Sequence, residues 1–173
     1  VVRGMNTFDM PEPAAVSGIN AKPGAIPLAC FRLAGSLFAV DVMRIMEIAV
    51  PGAVRPPLSP SRFVTRDAVL RGKTIPVMDL RGRFRIPPRP ERNPGELIVV
   101  RLRDGALALG VDEVVEIIDV PCERIMPPPD LEGFGAECIL GVCRANDDVV
   151  MIVDIDLLLN GDRPLDDGEE MRG

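Results

Sequence analysis

The sequence predicts a mainly β protein made of two similar, compact, barrel-like halves with a few short helices. Three observations predict it: an internal repeat, tight-turn signals between short apolar runs, and strands too apolar to leave one face in water. Setting LFAVDVMRIMEI (Leu37 to Ile48) over ALALGVDEVVEI (Ala106 to Ile117) gives a constant offset of 69, with Ile45 over Val114 and Glu47 over Glu116. Setting IPVMDL (Ile75 to Leu80) over VMIVDI (Val150 to Ile155) gives an offset of 75 and aligns Asp79 with Asp154.

Each half follows the same plan. In the first, a strand over Ile26 to Leu33 meets the turn Ala34-Gly35-Ser36 and returns as a second strand. Asp41 then stands as an N-cap ahead of Val42, Ile45, Met46 and Ala49, whose spacing predicts a short helix. The stretch VLRGKTIPVMDLRGRF begins as a strand at Val69, breaks at Arg71-Gly72 and resumes over Lys73 to Met78. Asp79 ends that strand and caps a short helix in LRGRF. IPPRPERNPGE, Ile86 to Glu96, carries four prolines and a glycine and forbids regular structure, which sets a linker near 87–95.

The second half repeats this. A strand over Glu96 to Leu102 turns at Arg103-Asp104-Gly105, and Asp-Gly is a strong hairpin signal. Hairpins of this kind imply antiparallel sheets. Leu97 to Val100 and Val149 to Val153 are apolar throughout, so these strands need cover on both faces, which packing the two halves together would provide. Asp154 then opens IDLLL as Asp79 opens LRGRF. Residues 1–25 show no period and read as a flexible arm, and a start at Met5 would leave Val1 to Gly4 as a cloning remnant. The folded domain is 26–161. Residues 162–173 hold five acids against two arginines and read as a solvated acidic tail.

Composition narrows the function. The 173 residues are 47% apolar, as in a folded chain, and 20 Lys plus Arg against 26 Asp plus Glu give a net charge of −6. That field repels phosphate backbones, and six Phe with no Trp or Tyr supply few stacking platforms, so nucleic acid is not the expected partner. Neither a signal peptide nor an apolar run of about 20 residues occurs, which predicts a cytoplasmic protein.

The chain has no histidine, which removes Ser-His-Asp and Cys-His chemistry and the His-containing zinc sites. Cys30, Cys122, Cys138 and Cys143 lack the close pairs of a metal site, and Cys138 and Cys143 fall on opposite faces of a strand unless Gly141 forms a bulge. No metal or cofactor is expected. An enzyme would have to rest on Asp79, Asp154 and Cys143, but the two aspartates hold equivalent places in the two halves, where capping explains them and paired chemistry would hold them apart. Arg81, Arg83, Arg85, Arg89 and Arg92 follow Asp79 and read as a solvated basic face, with an acidic protein partner as the alternative. Gly72 has a backbone reason for its turn, a positive φ. Arg71 beside it has none, and either pairs with a carboxylate of its own fold or meets one on a partner.

The segments FRLAGSLFAVDVMRIMEI, LRGKTIPVMDLRGRF, GVDEVVEIIDV and ILGVCRANDDVVMIVDIDLLL, in this order and at these spacings, resemble the CheW coupling proteins of bacterial chemosensory arrays. The resemblance covers about Pro27 to Leu159. It implies two five-stranded SH3-like β-barrels related by a pseudo-twofold axis. It implies a scaffold without catalytic activity, whose partners are a CheA-type histidine kinase and the cytoplasmic tip of a methyl-accepting chemoreceptor, so that the membrane is met only through receptors. The family's Asn-Leu-Arg-Gly turn falls on Val69-Leu70-Arg71-Gly72, with Val69 in place of Asn. Its Val-x-Glu-Ile segment, at the end of the first helix, falls on Ile45-Met46-Glu47-Ile48. Arg66 stands where a receptor-facing Gly is expected, a bulky cation in a groove meant for a receptor helix, so the alternative is an adaptor of a non-standard pathway, serving pili or surface behaviour, that binds the kinase but not a standard receptor. The implied partner-binding residues are therefore Arg71, Gly72, Glu47, Ile45, Arg66 and Val69.

Overall fold

A computed structural model describes residues 21–89, 95–130 and 135–160, and they form two mixed sheets. The strands are β1 (Ala25–Leu33), β2 (Ser36–Asp41), β3 (Ile45–Ala49), β4 (Val54–Arg55), β5 (Val64–Leu70), β6 (Lys73–Asp79), β7 (Glu96–Leu102), β8 (Gly105–Val111), β9 (Glu113–Pro121), β10 (Ile139–Ala145) and β11 (Asp148–Val153). Two four-residue helices, α1 (Leu80–Arg83) and α2 (Ile155–Leu158), follow β6 and β11. The arm up to residue 20, most of the linker and the acidic tail from residue 161 lie outside the described residues.

The five-stranded sheet runs β10-β11-β2-β1-β9 and the six-stranded sheet β3-β7-β8-β6-β5-β4. Neither sheet belongs to one half of the sequence. The first hairpin, β1 and β2, lies among the strands of the second repeat, and its counterpart, β7 and β8, lies among those of the first. Under the offsets of 69 and 75 the two sheets match strand for strand, with β4 the one addition. The irregularities match as well. β5 and β10 are each bulged at the second residue, between Val64 and Arg66 and between Ile139 and Gly141. β3 is bulged between Ile45 and Glu47, and β9 between Val114 and Glu116.

Two expectations from the sequence need correction. The sheets are not wholly antiparallel, because the exchanged hairpins join them in parallel, β2 against β11 and β8 against β6. The helix expected behind Asp41 is one 3-10 turn, Val42–Arg44, capped by Asp41 through the Met43 N–H, and Ile45–Ala49 continues as β3. The helical spacing of Val42, Ile45, Met46 and Ala49 misled, because the bulge in β3 breaks the two-residue alternation that marks a strand.

The exchange explains the wholly apolar strands. Along β7, Leu97 and Val99 enter a cluster inside the six-stranded sheet with Ala68, Leu70, Ile75, Val77 and Ala108. Ile98 and Val100 enter the large cluster shared by both sheets, with Phe31, Phe38, Met78, Leu109, Val153 and Leu158. β1 does the same, with Leu28 and Cys30 inside the five-stranded sheet and Ala29, Phe31 and Leu33 in the shared core. Both faces of the central strands are thus buried, which is the condition for a continuous apolar run.

Both sheets curl. After edge strand β3 the chain crosses to pair Val54 and Arg55 with Ala68 and Asp67 of β5. After edge strand β9 it crosses to bridge Met126 to Val142 of β10, with N···O distances of 2.8 and 2.9 Å. In each sheet the strand at one edge is tied to the other edge by the segment that follows it.

Candidate functional site

The curl of the six-stranded sheet brings the β5–β6 turn over β3. Arg71 and Gly72 form that two-residue turn with φ of +50° and +76°, the doubly left-handed geometry that suits the twist of a hairpin. Gly72 meets this demand at no steric cost, and an added Cβ would touch nothing within 4 Å, so its role is conformational. Arg71 pays a Cβ penalty for the same conformation. Its Nη2 lies 3.0 Å from Glu47 Oε1 on β3.

Glu47 is buried, with 8% of its side chain exposed, while Arg71 keeps 55%. A carboxylate so enclosed would be costly without a counter-charge, and Arg71 supplies it from the solvent side. The second oxygen, Oε2, has no hydrogen-bond partner. Arg71 therefore pairs within its own fold and also remains at the surface, so the two alternatives left open by the sequence coexist. Glu47 does not close a helix, as the resemblance implied. It follows the β3 bulge as Glu116 follows the matching bulge in β9, but Glu47 is buried and Glu116 exposed.

The other predicted residues divide. Ile45 is buried in the shared core, so it supports β3 and offers no contact surface. Val69 is half-buried on β5, where its N–H donates to Ala53 O at 2.9 Å. Arg66 does not join Arg71. It sits just past the β5 bulge, with Nη2 3.8 Å from Asp79 Oδ2, and five residues of strand, about 17 Å, separate it from the turn.

Asp79 and Asp154 are helix caps. Asp79 Oδ1 accepts the Arg81 N–H at 3.0 Å, and Asp154 Oδ1 accepts those of Asp156 and Leu157 at 2.8 and 3.2 Å. They close strands of different sheets and line different clefts. Cys143 is buried in the core of the five-stranded sheet, and burial pushes its thiol up, away from the thiolate a nucleophile needs. Burial likewise pushes Cys30 up to about 12. Gly141 does lie at a bulge, yet Cys138 and Cys143 enter different core clusters. Among the described residues no group of His, Cys, Asp and Glu could hold a metal.

The basic run is not a solvated face. Arg81 forks onto Asp112, at 2.8 Å through Nε and 2.7 Å through Nη2, and donates to Pro87 O at 2.6 Å. That pairing holds the Asp112 carboxyl below the usual range, aided by the Ala34 N–H. Arg89 Nη1 lies 4.0 Å from the same carboxylate. Arg83 is buried, stacks 4.7 Å over the Phe63 ring, and donates to Leu158 O at 3.0 Å and Glu137 Oε1 at 3.1 Å. Only Arg85 of the described four is exposed, and Arg92 lies outside the described residues. Sequence reasoning missed Asp112, Arg44 and Asp156 as partners, because the pairs join residues 31 and 112 apart along the chain, where no local pattern links them.

Among the described residues no helix is long and apolar enough to cross a membrane. Residues 27–163 match the family model described as CheW-like domain. The chain is 30% identical over 139 residues to the chemotaxis protein CheW of Treponema pallidum, covering 77% of this chain and 81% of that one. It is 30% identical over 140 residues to protein FrzA of Myxococcus xanthus, with 75% and 82% covered. The crystal structure of the scaffolding protein TtCheW from Thermoanaerobacter tengcongensis superposes with a TM-score of 0.68 at 28% identity, covering 80% of this chain and 90% of that one.

Proposed function

The chain belongs to the CheW-like domain family, and on that premise we propose that it is a non-enzymatic chemotaxis scaffold that couples chemoreceptors to a CheA-type histidine kinase. It works in the cytoplasm and meets the membrane only through the receptors. Each curled sheet acts as an SH3-like barrel, and the two barrels present separate docking faces on one rigid body. Holding two partners on one body raises their effective concentration, and differential contacts in two signalling states couple a receptor change to kinase output.

One observation carries the reading: Arg71, half exposed at a hairpin tip, is held in place from beneath by a buried carboxylate. An arginine fixed this way loses little further freedom on meeting a partner, so its remaining donors are available at low entropic cost. Gly72 and Val69 shape the turn that presents it, Ile45 and Glu47 set its footing, and Arg66 over Asp79 shapes the neighbouring receptor-facing groove. Sedimentation of receptor-bearing membranes with purified kinase tests the proposal. The kinase should pellet only when this chain is present, and recovery of neither protein with the membranes sinks the proposal.

A further inference from the structure

We propose that the five-stranded sheet carries a docking cleft of its own, which takes one large apolar side chain of a partner protein flanked by arginine or lysine. The cleft, of about 200 Å³, opens where β1 and β10 begin and β2 and β11 end. Leu28 and Ile152 lie buried at its base, Ile26 and Ile125 stand half-buried along it, and Leu140 is 58% exposed at its mouth. An apolar cavity of about 150 Å³ is enough to hold a benzene ring, so this one has room for a single large side chain. It is separate from the Arg71 turn, which belongs to the other sheet.

Glycine at position 141 lets Ile125 close one wall. A Cβ there would lie 2.9 Å from Ile125 Cγ2 and 2.7 Å from Met126 O, so any other residue would push that wall off β10. At the offset of 75 the first repeat has Arg66 in place of Gly141 and Thr65 in place of Leu140. Its own cleft, around Asp79, is lined by Arg62, Thr65 and Arg85. The two repeats thus share a scaffold at this point and differ in its lining. An apolar, acid-rimmed cleft is a property of these side chains and is not imposed by the fold.

Charge identifies the flanks of the occupant. Asp41, Asp154 and Asp156 line the cleft with one cation, Arg44, three carboxylates against one guanidinium for a net of −2. That guanidinium is already engaged, with both Nη atoms 3.0 Å from the Asp156 carboxylate. Asp41 and Asp154 cap their turns through Oδ1 alone, Asp41 at 2.8 Å from Met43 N and Asp154 at 2.8 Å from Asp156 N, so each keeps a second oxygen for a donor from outside. Hydrogen bonds from a cation to a carboxylate are roughly twice as strong as neutral ones, and the stems of arginine and lysine cover apolar surface while their heads reach the rim. An acidic partner would meet repulsion at the same three positions.

Two-dimensional NMR of the full chain at low salt, titrated with the amidated peptide Lys-Arg-Phe-Arg-Lys, tests this. The amide signals of Leu140, Ile152 and Asp156 should shift saturably, while those of Arg71 and Gly72 stay in place. The peptide Lys-Arg-Ala-Arg-Lys should bind at least about fivefold more weakly, because the anchor is gone, and Glu-Glu-Phe-Glu-Glu should not bind. Leu140→Thr puts the first repeat's residue at an exposed position and should reduce the phenylalanine peptide to the level of the alanine one. Asp41→Asn with Asp154→Asn keeps both caps, since asparagine caps as well as aspartate, and should weaken binding severalfold. Absence of saturable shifts overturns the proposal, as do equal affinities for the phenylalanine and alanine peptides or shifts confined to another surface. Contacts to Leu140 from another part of this chain, or from a second copy, in the absence of peptide would show the cleft already filled and also overturn it.

Discussion

Arg81 and Asp156 hold the same place in the two repeats, the second residue of α1 and of α2, and each reaches into the opposite repeat for an ion pair of reversed polarity. Arg81 forks onto Asp112, just after β8, and Asp156 takes both Nη atoms of Arg44, just after β2, at 3.0 Å. Each pair ties a helix to the hairpin its sheet has borrowed. The two differ in weight: Arg81 and Asp112 are largely buried, whereas Asp156 is 72% exposed. Four experiments follow from these and related contacts.

Asp112 should set part of the acid sensitivity. Its folded pKa is lowered chiefly by the Arg81 hydrogen bonds, so the stability it adds is complete above the unfolded value of about 3.9 and is lost as pH falls through the lower folded value. Acid titration of Asp112→Asn, followed by circular dichroism, should show a lower stability at neutral pH and a shallower loss below about pH 4. Asp156→Asn, whose carboxylate is lowered by Arg44 in the open, should change stability by at most about 1 kcal/mol. An equal acid slope in Asp112→Asn and parent would rule the coupling out.

Arg71→Glu should lower the thermal midpoint as well as weaken sedimentation with partners. It sets a second carboxylate beside buried Glu47, at a cost of about 1–3 kcal/mol given that Arg71 is half exposed. The double variant Glu47→Leu/Arg71→Leu removes both charges and should recover most of the midpoint without recovering partner binding. Recovery of both would leave the arginine with a purely structural part.

Arg83→Met keeps the volume and discards the donors. The Leu158 carbonyl at the end of α2 loses the Arg83 donor and Glu137 loses its counter-charge, and about 3 kcal/mol of stability should go with them. Chemical denaturation measures this, and a loss under about 1 kcal/mol would show that water replaces the guanidinium.

The capping aspartates should behave alike but not equally. Asp79→Ala and Asp154→Ala should each cost about 1 kcal/mol, with Asp154 the more costly because it holds two N–H groups against one. A much larger loss at either position in urea denaturation would point to a task beyond capping.

Local chemistry wrote much of this molecule into its sequence. Turns at Ala34-Gly35, Arg71-Gly72 and Arg103-Asp104, caps at Asp41, Asp79 and Asp154, and the doubled plan all depend on neighbours a few residues apart, so each was legible without coordinates. The strand at Ile45–Ala49 was not, because a bulge gave it a helical rhythm. Tertiary structure alone decided which hairpin joins which sheet, since either pairing satisfies the same apolar pattern, and the exchanged one is what encloses the core shared by both sheets. It also decided the fate of the charges. Whether Arg71, Arg81 and Arg83 face water or a carboxylate depends on how far a sheet curls, and Glu47, Asp112 and Glu137 lie 24, 31 and 54 residues away along the chain. Contacts at that separation leave no period in a sequence, because no local periodicity links residues that only the closed fold brings together.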